Sequence, residues 1–288
     1  MSSEYTFTPA DPFRMVIEEG KVHEFARATH SRCPEHLRTW DPISPITFLA
    51  SHRLWMEEQN SAWRGIRRDM RGVLHGEEEF VFHTMPPVAG TVLTARQFVE
   101  RNYEKQGRRG GAMTFTELVT RFWTESEDDP IAEERTVTIR RHVLSEPGGT
   151  SGSSPASPTA PAPTGSALFE RQEPPLTVTD FVKYQGASGD FNPIHHDTAF
   201  AARSGYPSPF AVGMLAAGIA ANLVSEYLGG EERGSGRVRR LRTRWHDQAW
   251  PGDALIFRGI RLDNDRLQVD VFRPNGALHL VAWADSDA

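Results

Sequence analysis

The stretch that decides the fold is residues 184–195, which read YQGASGDFNPIH. It places a carboxylate (Asp190), a carboxamide (Asn192) and an imidazole (His195) within six residues. The glycines and the proline in this stretch interrupt any regular helix or strand. The chain is therefore expected to turn back on itself and to aim Asp190 and His195 into one pocket. A carboxylate beside an imidazole provides the groups of an acid/base site.

This motif resembles the hydratase signature of the MaoC-like family, the (R)-specific or type 2 enoyl-CoA hydratases, and it fills every position of that signature. The matching residues are Tyr184, Ser188, Gly189, Asp190, Asn192, Pro193, Ile194 and His195. The run from Gly205 to Leu215 also resembles the family's lead-in to its central helix. The resemblance implies a hotdog fold, in which an antiparallel sheet wraps a long helix.

The resemblance also implies a reaction, the reversible syn addition of water to a trans-2-enoyl thioester to give a (3R)-hydroxyacyl product. His195 is then the base that activates water, and Asp190 holds the water and exchanges the proton at Cα. Gly213 matches the family's oxyanion glycine, at a helix start where N–H donors are free. Three polar residues of the motif are predicted to orient the substrate or the water: Tyr184, Ser188 and Asn192.

Each motif residue also has a purely structural interpretation. Asp190 and Asn192 are suited to forming or capping a turn. His195 taken alone suits a hydrogen-bonded place in a core. Ser188 suits a local backbone hydrogen bond better than a nucleophilic role, because it is too near Asp190 and His195 in sequence for a triad. No metal site is predicted from His195 and His196, since adjacent side chains usually point apart.

A weakened copy of the motif lies earlier in the chain. The sequence ATHSRCPEH at 28–36 precedes ASGDFNPIH at 187–195 by 159 residues. Ser31 and Cys33 stand where the later copy has its acid and its amide, while His36 is kept. The early copy is therefore predicted to be catalytically silent. A repeat of this length implies a duplicated domain, and chance is the alternative for a single echo.

The predicted fold class is α+β, a double hotdog in which each of two domains has a long helix wrapped by an antiparallel sheet. Residues 1–145 are predicted to form a degenerate N-terminal hotdog that shapes the acyl pocket. Residues 167–288 are predicted to form the catalytic MaoC-like hotdog. Between them, residues 146–166 are rich in Gly, Ser, Pro and Ala and are expected to form a flexible linker.

Apolar spacing predicts the elements of each domain. In the second domain, a helix over 211–228 is uncharged before Glu226, so it should be buried on nearly all sides. The strands expected around it are 238–245, 255–262, 266–272 and 277–283. The elements expected in the first domain are a short amphipathic helix within 13–30, a helix over 48–63 and strands from Val73 to Val143. A glycine-rich turn at 107–111 lacks the context of a phosphate-binding loop.

Composition narrows the class of protein. The single cysteine, Cys33, excludes an intramolecular disulfide and is typical of a reducing cytoplasm, the predicted location. No apolar run reaches the roughly 18 residues that span a bilayer, and residues 1–13 do not have the features of a signal peptide. The net charge of −6 gives no general attraction to nucleic acid or to an anionic membrane.

A run of arginines is the densest basic feature. Arg240, Arg242 and Arg244 share one face of a predicted strand and are candidates to bind the phosphates of coenzyme A or of a carrier-protein phosphopantetheine. A solvated strand face is the alternative. Coenzyme A or phosphopantetheine would enter as part of the substrate, and no separate cofactor or metal is predicted.

The expected partner is therefore an acyl-CoA or acyl carrier protein thioester. The two hotdogs are expected to pair within one chain, with a homodimer left open. Acyl length and the direction of the reaction are also left open. The alternative function is a non-catalytic acyl-thioester-binding subunit of a larger fatty-acid, sterol or polyketide assembly.

Overall fold

The computed structural model describes residues 7–66, 73–106, 112–141, 167–229 and 234–287. The predicted linker at 146–166 and the turn at 107–111 lie outside these ranges. The strands are β1 (Phe13–Val16), β2 (Val73–Phe82), β3 (Val92–Gln106), β4 (Ala112–Trp123), β5 (Ala132–Arg141), β6 (Phe169–Gln172), β7 (Val238–Trp245), β8 (Ile256–Arg261), β9 (Arg266–Phe272) and β10 (Leu278–Ser286). The α-helices are α1 (Glu19–Ala28), α2 (Pro34–Leu37), α3 (Val178–Ser188), α4 (Thr198–Arg203) and α5 (Gly213–Gly229).

These strands form one antiparallel sheet in the order β1-β3-β4-β5-β2-β7-β10-β9-β8-β6. The N-terminal half of the sheet is β1–β5 and the C-terminal half is β6–β10. They join where β2 pairs with β7, from Glu77 opposite Arg244 to Val81 opposite Arg240. The expected pairing of two hotdogs within one chain is thus observed as a continuous sheet.

Helix α5 is the long central helix of the C-terminal half. Its residues from Met214 to Ser225 are all buried, as expected for a helix with apolar and small residues on every side. It contacts β7, β9 and β10, which curve around it. A Cβ at Gly218 would lie 2.6 Å from Thr29 Cγ2, so the missing side chain lets the end of α1 pack against α5. The predicted helix and the strands that wrap it are confirmed.

The two copies of the motif meet each other. Phe25 and Tyr184 are 159 residues apart and occupy equivalent positions, and their ring centroids lie 5.7 Å apart. The helices that carry them, α1 and α3, also contact each other. Contact between equivalent residues is characteristic of an isologous, two-fold interface. The contact supports the duplication inferred from the sequence.

The N-terminal half contains the short amphipathic helix predicted within 13–30, as α1 with Val22 and Phe25 buried, and it corrects the predictions for residues 13–16 and 48–63. Residues 13–16 form strand β1, because Phe13 and Met15 are buried and Arg14 is exposed, a period of two. The predicted helix over 48–63 is instead two short 3-10 helices, Phe48–Trp55 and Glu58–Asn60. The polar residues at 57–60 cannot be buried on all sides as α5 is. Within the described residues, only the C-terminal half therefore has a long wrapped helix.

The described helices include none that is both long enough and apolar enough to cross a membrane.

Candidate active site

The motif turn begins where α3 ends. Gly189 adopts a left-handed conformation with φ of 75° and caps the helix, as glycine does without strain. A Cβ there would also lie 3.0 Å from Leu54 Cδ2, in the N-terminal half. The amide of Gln185 then donates to the carbonyl oxygens of Asp190 (2.8 Å) and Asn192 (3.1 Å). The turn is therefore held from inside and packed closely against the other half.

Short hydrogen-bonded loops hold the acid in place. The Ser188 hydroxyl oxygen accepts the N–H of Asp190 at 3.3 Å, and Asp190 Oδ1 accepts the N–H of Asn192 at 3.3 Å. Asn192 Oδ1 in turn accepts the N–H of Ile194 at 3.2 Å and caps the 3-10 helix Pro193–His195. Ser188 thus makes the local backbone bond that its sequence context suggested.

His195 is oriented by a backbone carbonyl. Its Nδ1 donates to the carbonyl oxygen of Phe210 at 2.8 Å, which leaves Nε2 with a lone pair. Burial lowers the pKa of His195, and Asp190 and the Phe210 carbonyl oppose that shift only in part. The imidazole is therefore neutral near pH 7 and able to accept a proton.

The acid, the imidazole and the start of α5 line one cavity of about 440 Å³. It lies between the two halves and falls at the low end of the roughly 300–1,000 Å³ found for ligand pockets. Asp190, Asn192, His195 and Gly213 contribute from the C-terminal half. The predicted convergence of the acid, the base and the helix start on one space is what the structure shows.

Gly213 is the first residue of α5, where the N–H groups of the first turn have no acceptor inside the helix. A Cβ at Gly213 would lie 2.6 Å from Trp245 Nε1, so any side chain here would displace the indole. The absence of a side chain lets the indole pack against the helix start, and both residues line the cavity. A thioester oxygen bound there would meet N–H donors and the positive end of the helix dipole.

The three residues predicted to orient substrate or water lie at different depths. Asn192 lines the cavity. Ser188 and Tyr184 are fully buried behind the turn, and neither is among the lining residues. Arg53 and Asp190 both act electrostatically on the Tyr184 hydroxyl. Asn192 is therefore within reach of a ligand, while Ser188 and Tyr184 pack behind the motif turn.

The arginine run lies on the other face of the sheet. Leu241 and Thr243 of β7 are buried, so the alternate residues Arg240, Arg242 and Arg244 point outward. Arg240 pairs with Glu79 at 2.6 Å, and Arg242 and Arg244 pair with Glu77. These contacts favour the solvated strand face, and phosphate binding by these arginines stays a prediction.

The early copy of the motif is enclosed. His36 is bonded at both ring nitrogens, to the Ser31 hydroxyl at 2.8 Å and to the Ser235 hydroxyl at 2.7 Å. The possible ligand atoms of Cys33, Glu35 and His36 lie within 4.8 Å of one another, a cluster that the sequence analysis did not predict. Burial raises the pKa of the Cys33 thiol to about 12. A protonated thiol and a doubly bonded imidazole describe a hydrogen-bonded core cluster.

The second histidine of the later motif points elsewhere, as expected. His196 Nδ1 lies 2.9 Å from Gln185 Oε1, and Asp197 caps α4 through the N–H of Phe200. Both residues therefore support the local structure.

The N-terminal half contributes residues that sequence reasoning missed. Its polar lining residues are His52, Arg53, Glu57, Ser61, His75, Gln97, Thr136 and Thr138. A signal for part of this set is present in the sequence, because Thr114, Thr116 and Thr120 occupy inward positions of β4 that a core strand would fill with apolar residues. Which residues of the two halves face each other across the cavity cannot be predicted from either segment alone.

Comparison with known proteins follows the same division of the chain. Residues 160–273 match the model of the MaoC like domain, and residues 6–134 match that of the FAS1-like, dehydratase domain region. A 3-hydroxyacyl-thioester dehydratase Y of Mycobacterium tuberculosis is 24% identical over 223 residues, 73% of each chain. A peroxisomal hydratase-dehydrogenase-epimerase of Neurospora crassa is 27% identical over 190 residues, 64% of this chain and 19% of that protein.

Structural comparison gives the same fold over the whole molecule. A MaoC-like dehydratase from Phytophthora capsici superposes with a TM-score of 0.75 at 16% identity, covering 99% of this chain and 96% of that one. At this identity the likeness speaks for the fold. With the two family models and the motif, it leads to one assignment: the chain combines a FAS1-like dehydratase region with a MaoC-like dehydratase domain and has the double hotdog fold.

Proposed function

We propose that this protein is a hydro-lyase that hydrates trans-2-enoyl thioesters to (3R)-hydroxyacyl thioesters and catalyses the reverse dehydration. One observation carries the proposal: Asp190, His195 and Gly213 line the same cavity, with His195 neutral and its Nε2 unbound. The reaction needs a group that takes a proton from water, a group that delivers one to Cα, and donors for a developing oxyanion. The cavity provides all three.

His195 and Asp190 divide the proton transfers in this mechanism. As the oxygen of water bonds to Cβ, His195 Nε2 accepts one proton from that water. Asp190 accepts a hydrogen bond from the same water. The proton taken up by His195 then passes to the Asp190 carboxylate, which gives it to Cα. The hydroxyl thus adds at Cβ and hydrogen at Cα, and both side chains return to their starting protonation states.

The start of α5 supports the charge that develops on the substrate. When the nucleophile bonds to Cβ, electron density moves onto the thioester oxygen. A backbone N–H at Gly213 is in place to donate to that oxygen, and the helix dipole adds a favourable field. The indole of Trp245 packs against Gly213 and fixes one wall of this part of the site.

The thiol carrier is proposed to be coenzyme A or a carrier-protein phosphopantetheine, entering as part of the substrate with no separate cofactor. The proposed location stays cytoplasmic, and a homodimer stays open beside the intrachain pair. The name of the Mycobacterium tuberculosis relative, a 3-hydroxyacyl-thioester dehydratase, supports a thioester substrate.

Loss of the conjugated enoyl absorbance of crotonyl-CoA tests the proposed activity, and chiral analysis of the product tests its configuration. Asp190→Asn and His195→Ala are expected to lower kcat/KM by about 10²–10⁴-fold, the range for removing an acid or a base. Asp263→Asn, at an exposed position outside the cavity lining, is the matched control and should keep the parent rate.

The outcome separates the enzyme from a non-catalytic thioester binder. Equal rates in parent and in both site variants would move the chemistry away from this cavity. Binding of crotonyl-CoA without any turnover by the parent protein would favour the binding subunit.

A further inference from the structure

The wall that faces the motif turn across the cavity carries buried polar groups beside its apolar ones. Seven polar residues of β2–β5 are buried: Glu78, Gln97, Thr114, Thr116, Thr120, Glu134 and Thr136. Gln97 and Thr136 line the cavity, together with Thr138 and His75. These groups already pair within the protein, since the Thr136 hydroxyl donates to Glu78 Oε1 and Gln97 Oε1 accepts the N–H of Ala62. A long alkyl chain packed against them would gain little from the burial of its own surface. The apolar side chains that line the cavity from this half are Met56, Trp63, Val73, Leu74 and Leu118.

Arg53 is the cation of this wall. It lies in the 3-10 helix Phe48–Trp55, lines the cavity and is half-buried. Its described direct hydrogen bond is a weak one, from Nη1 to the Ala50 carbonyl oxygen at 3.4 Å. None of the ion pairs between described residues includes Arg53. A guanidinium has five donors, so most of its hydrogen-bonding capacity is open to whatever fills the cavity.

Acidic groups surround Arg53 without contacting it closely. Burial lowers the pKa of Arg53, but Glu134, Asp190 and Glu78 together raise it above its usual value, so the guanidinium stays charged. Burial, and next to it the neighbouring Glu134 carboxylate, raise the pKa of Glu78 well above its usual value. Glu134 is held ionised beside His52, whose Nδ1 lies 2.7 Å away. This carboxyl pair thus carries one negative charge, which His52 contacts directly.

His75 is a neutral member of this wall. Burial lowers the pKa of His75 to about 4, so its ring is uncharged near pH 7. Its Nε2 lies 2.6 Å from Glu78 Oε2, and the Thr136 hydroxyl donates to Glu78 Oε1 at 3.1 Å. These bonds fix the side chains that support the wall. Arg53 is left as the charged donor that faces the cavity with few contacts of its own.

Resting on the proposed hydratase function, we propose that the substrate's acyl group is short and bears an oxygen acceptor beyond Cβ, which Arg53 binds. The acceptor is a carboxylate, which would take two N–H bonds from the guanidinium, or a neutral carbonyl or hydroxyl oxygen. Gln97, Thr136 and Thr138 supply further hydrogen bonds around it. Arg53 is then a specificity-determining residue, and the C-terminal half supplies the chemistry at Cα and Cβ.

Four thioesters of equal chain length test this proposal by hydration kinetics. They are 2-hexenoyl-CoA, 5-hydroxy-2-hexenoyl-CoA, 5-oxo-2-hexenoyl-CoA and 2-hexenedioyl-CoA. At least one oxygen-bearing substrate should exceed 2-hexenoyl-CoA in kcat/KM by about tenfold or more, since a site built to bond an oxygen discriminates against its absence. Preference for the dioyl substrate identifies a carboxylate, and preference for the hydroxy or oxo substrates identifies a neutral acceptor.

Arg53→Met should reduce this preference ratio by about tenfold or more, because the donors are lost while the side-chain length is roughly kept. Arg53→Lys keeps the charge without the planar fork and should retain more of a carboxylate preference than of a neutral one. Arg266→Met, at an exposed position outside the cavity lining, is the matched control and should leave the ratio unchanged. Far-UV circular dichroism and thermal unfolding show whether each variant is folded.

Binding of saturated analogues gives a readout that does not depend on turnover. Titration calorimetry should show adipoyl-CoA or 5-oxohexanoyl-CoA binding more tightly than hexanoyl-CoA to the parent protein, with the difference lost in Arg53→Met. Equal constants for all the thioesters would overturn the proposal, as would an equal loss on all substrates in Arg53→Met. Absence of hydration with every thioester, alongside selective binding of the oxygenated analogues, would instead overturn the proposed hydratase function.

Discussion

The two halves of the sheet share one architecture but present different surfaces to the interior. In the C-terminal half, α5 covers inward residues such as Leu241, Val269 and Leu280, and the interior is mainly apolar. In the N-terminal half the inward residues include threonines, Gln97 and two glutamates, and a 3-10 helix lies where a long helix was expected. The difference teaches that a duplicated fold can separate chemistry from recognition, with one copy holding the acid and base and the other forming the wall opposite.

Exchanging the acids of the two motif copies would test this division most strongly. Asp190→Ser gives the later copy the residue of the early one and should lower kcat/KM for crotonyl-CoA by about 10²–10⁴-fold, because the carboxyl group is lost. Ser31→Asp should add no activity. It places a carboxylate in a closed cluster beside Glu35 and should lower the free energy of unfolding measured with urea.

The double variant Ser31→Asp/Asp190→Ser completes the exchange. Activity restored in this variant would contradict the division, because it would show that the early copy can still host the reaction. The predicted inactivity of the early copy would then be due to the single residue at position 31 and not to the burial of His36.

A methyl group at the start of α5 should have the next largest effect. Gly213→Ala puts a Cβ 2.6 Å from Trp245 Nε1, so the indole or the helix start must move. The N–H donors then shift from the thioester oxygen, and kcat should fall by about 10–10³-fold. Gly20→Ala, also in a first helical turn but with no atom within 4 Å of the added Cβ, is the control and should keep the parent rate. Parental kcat in Gly213→Ala would exclude an oxyanion role for this helix start.

The pH dependence distinguishes the histidines of the two copies. Burial lowers the pKa of His195 below the usual 6.5, so kcat/KM for hydration should fall about tenfold per pH unit only on the acid side of that lowered value. His36, whose pKa burial lowers to about 3, should add no limb between pH 4 and 8. Stopped-flow rates across this range give the profile. A midpoint at or above 6.5 would show that a group other than this buried imidazole controls the rate.

The smallest effect is expected on the outer face of the sheet. Arg240→Gln breaks a partly exposed pair with Glu79, which is worth about 1 kcal/mol or less. Neither residue lines the cavity, so KM for crotonyl-CoA should change less than about twofold. A severalfold rise in KM that is relieved with a short pantetheine thioester would instead support the phosphate-binding prediction for this arginine run.

Sequence reasoning succeeded where one segment decides its own environment. Helix α5 is apolar on every side, so its burial followed from its composition, and strands β7 to β10 followed from alternation and turn residues. Asp190 and His195 were predicted to share one cavity because they are five positions apart in one turn, and both line it. All of these features depend on short-range information.

The errors came from tertiary context. Residues 13–16 are too few for the sequence to distinguish a helical from a strand periodicity, and pairing with β3 makes them a strand. The segment 48–63 has apolar residues at helical spacing, but its polar end faces the cavity and the surface. Arg53 was passed over because its importance depends on Asp190, which lies 137 residues later in the chain and faces the same space.

The contact between Phe25 and Tyr184 marks the axis of a former symmetry, and it has an evolutionary consequence. In a dimer of identical chains, every substitution appears on both sides of the axis. Polar residues that form the wall in one copy would therefore also stand beneath α5 in the other. Fusion of the copies frees each side to drift alone. A threonine-rich face could then arise opposite the acid and base without unfolding the helix that carries the oxyanion donors.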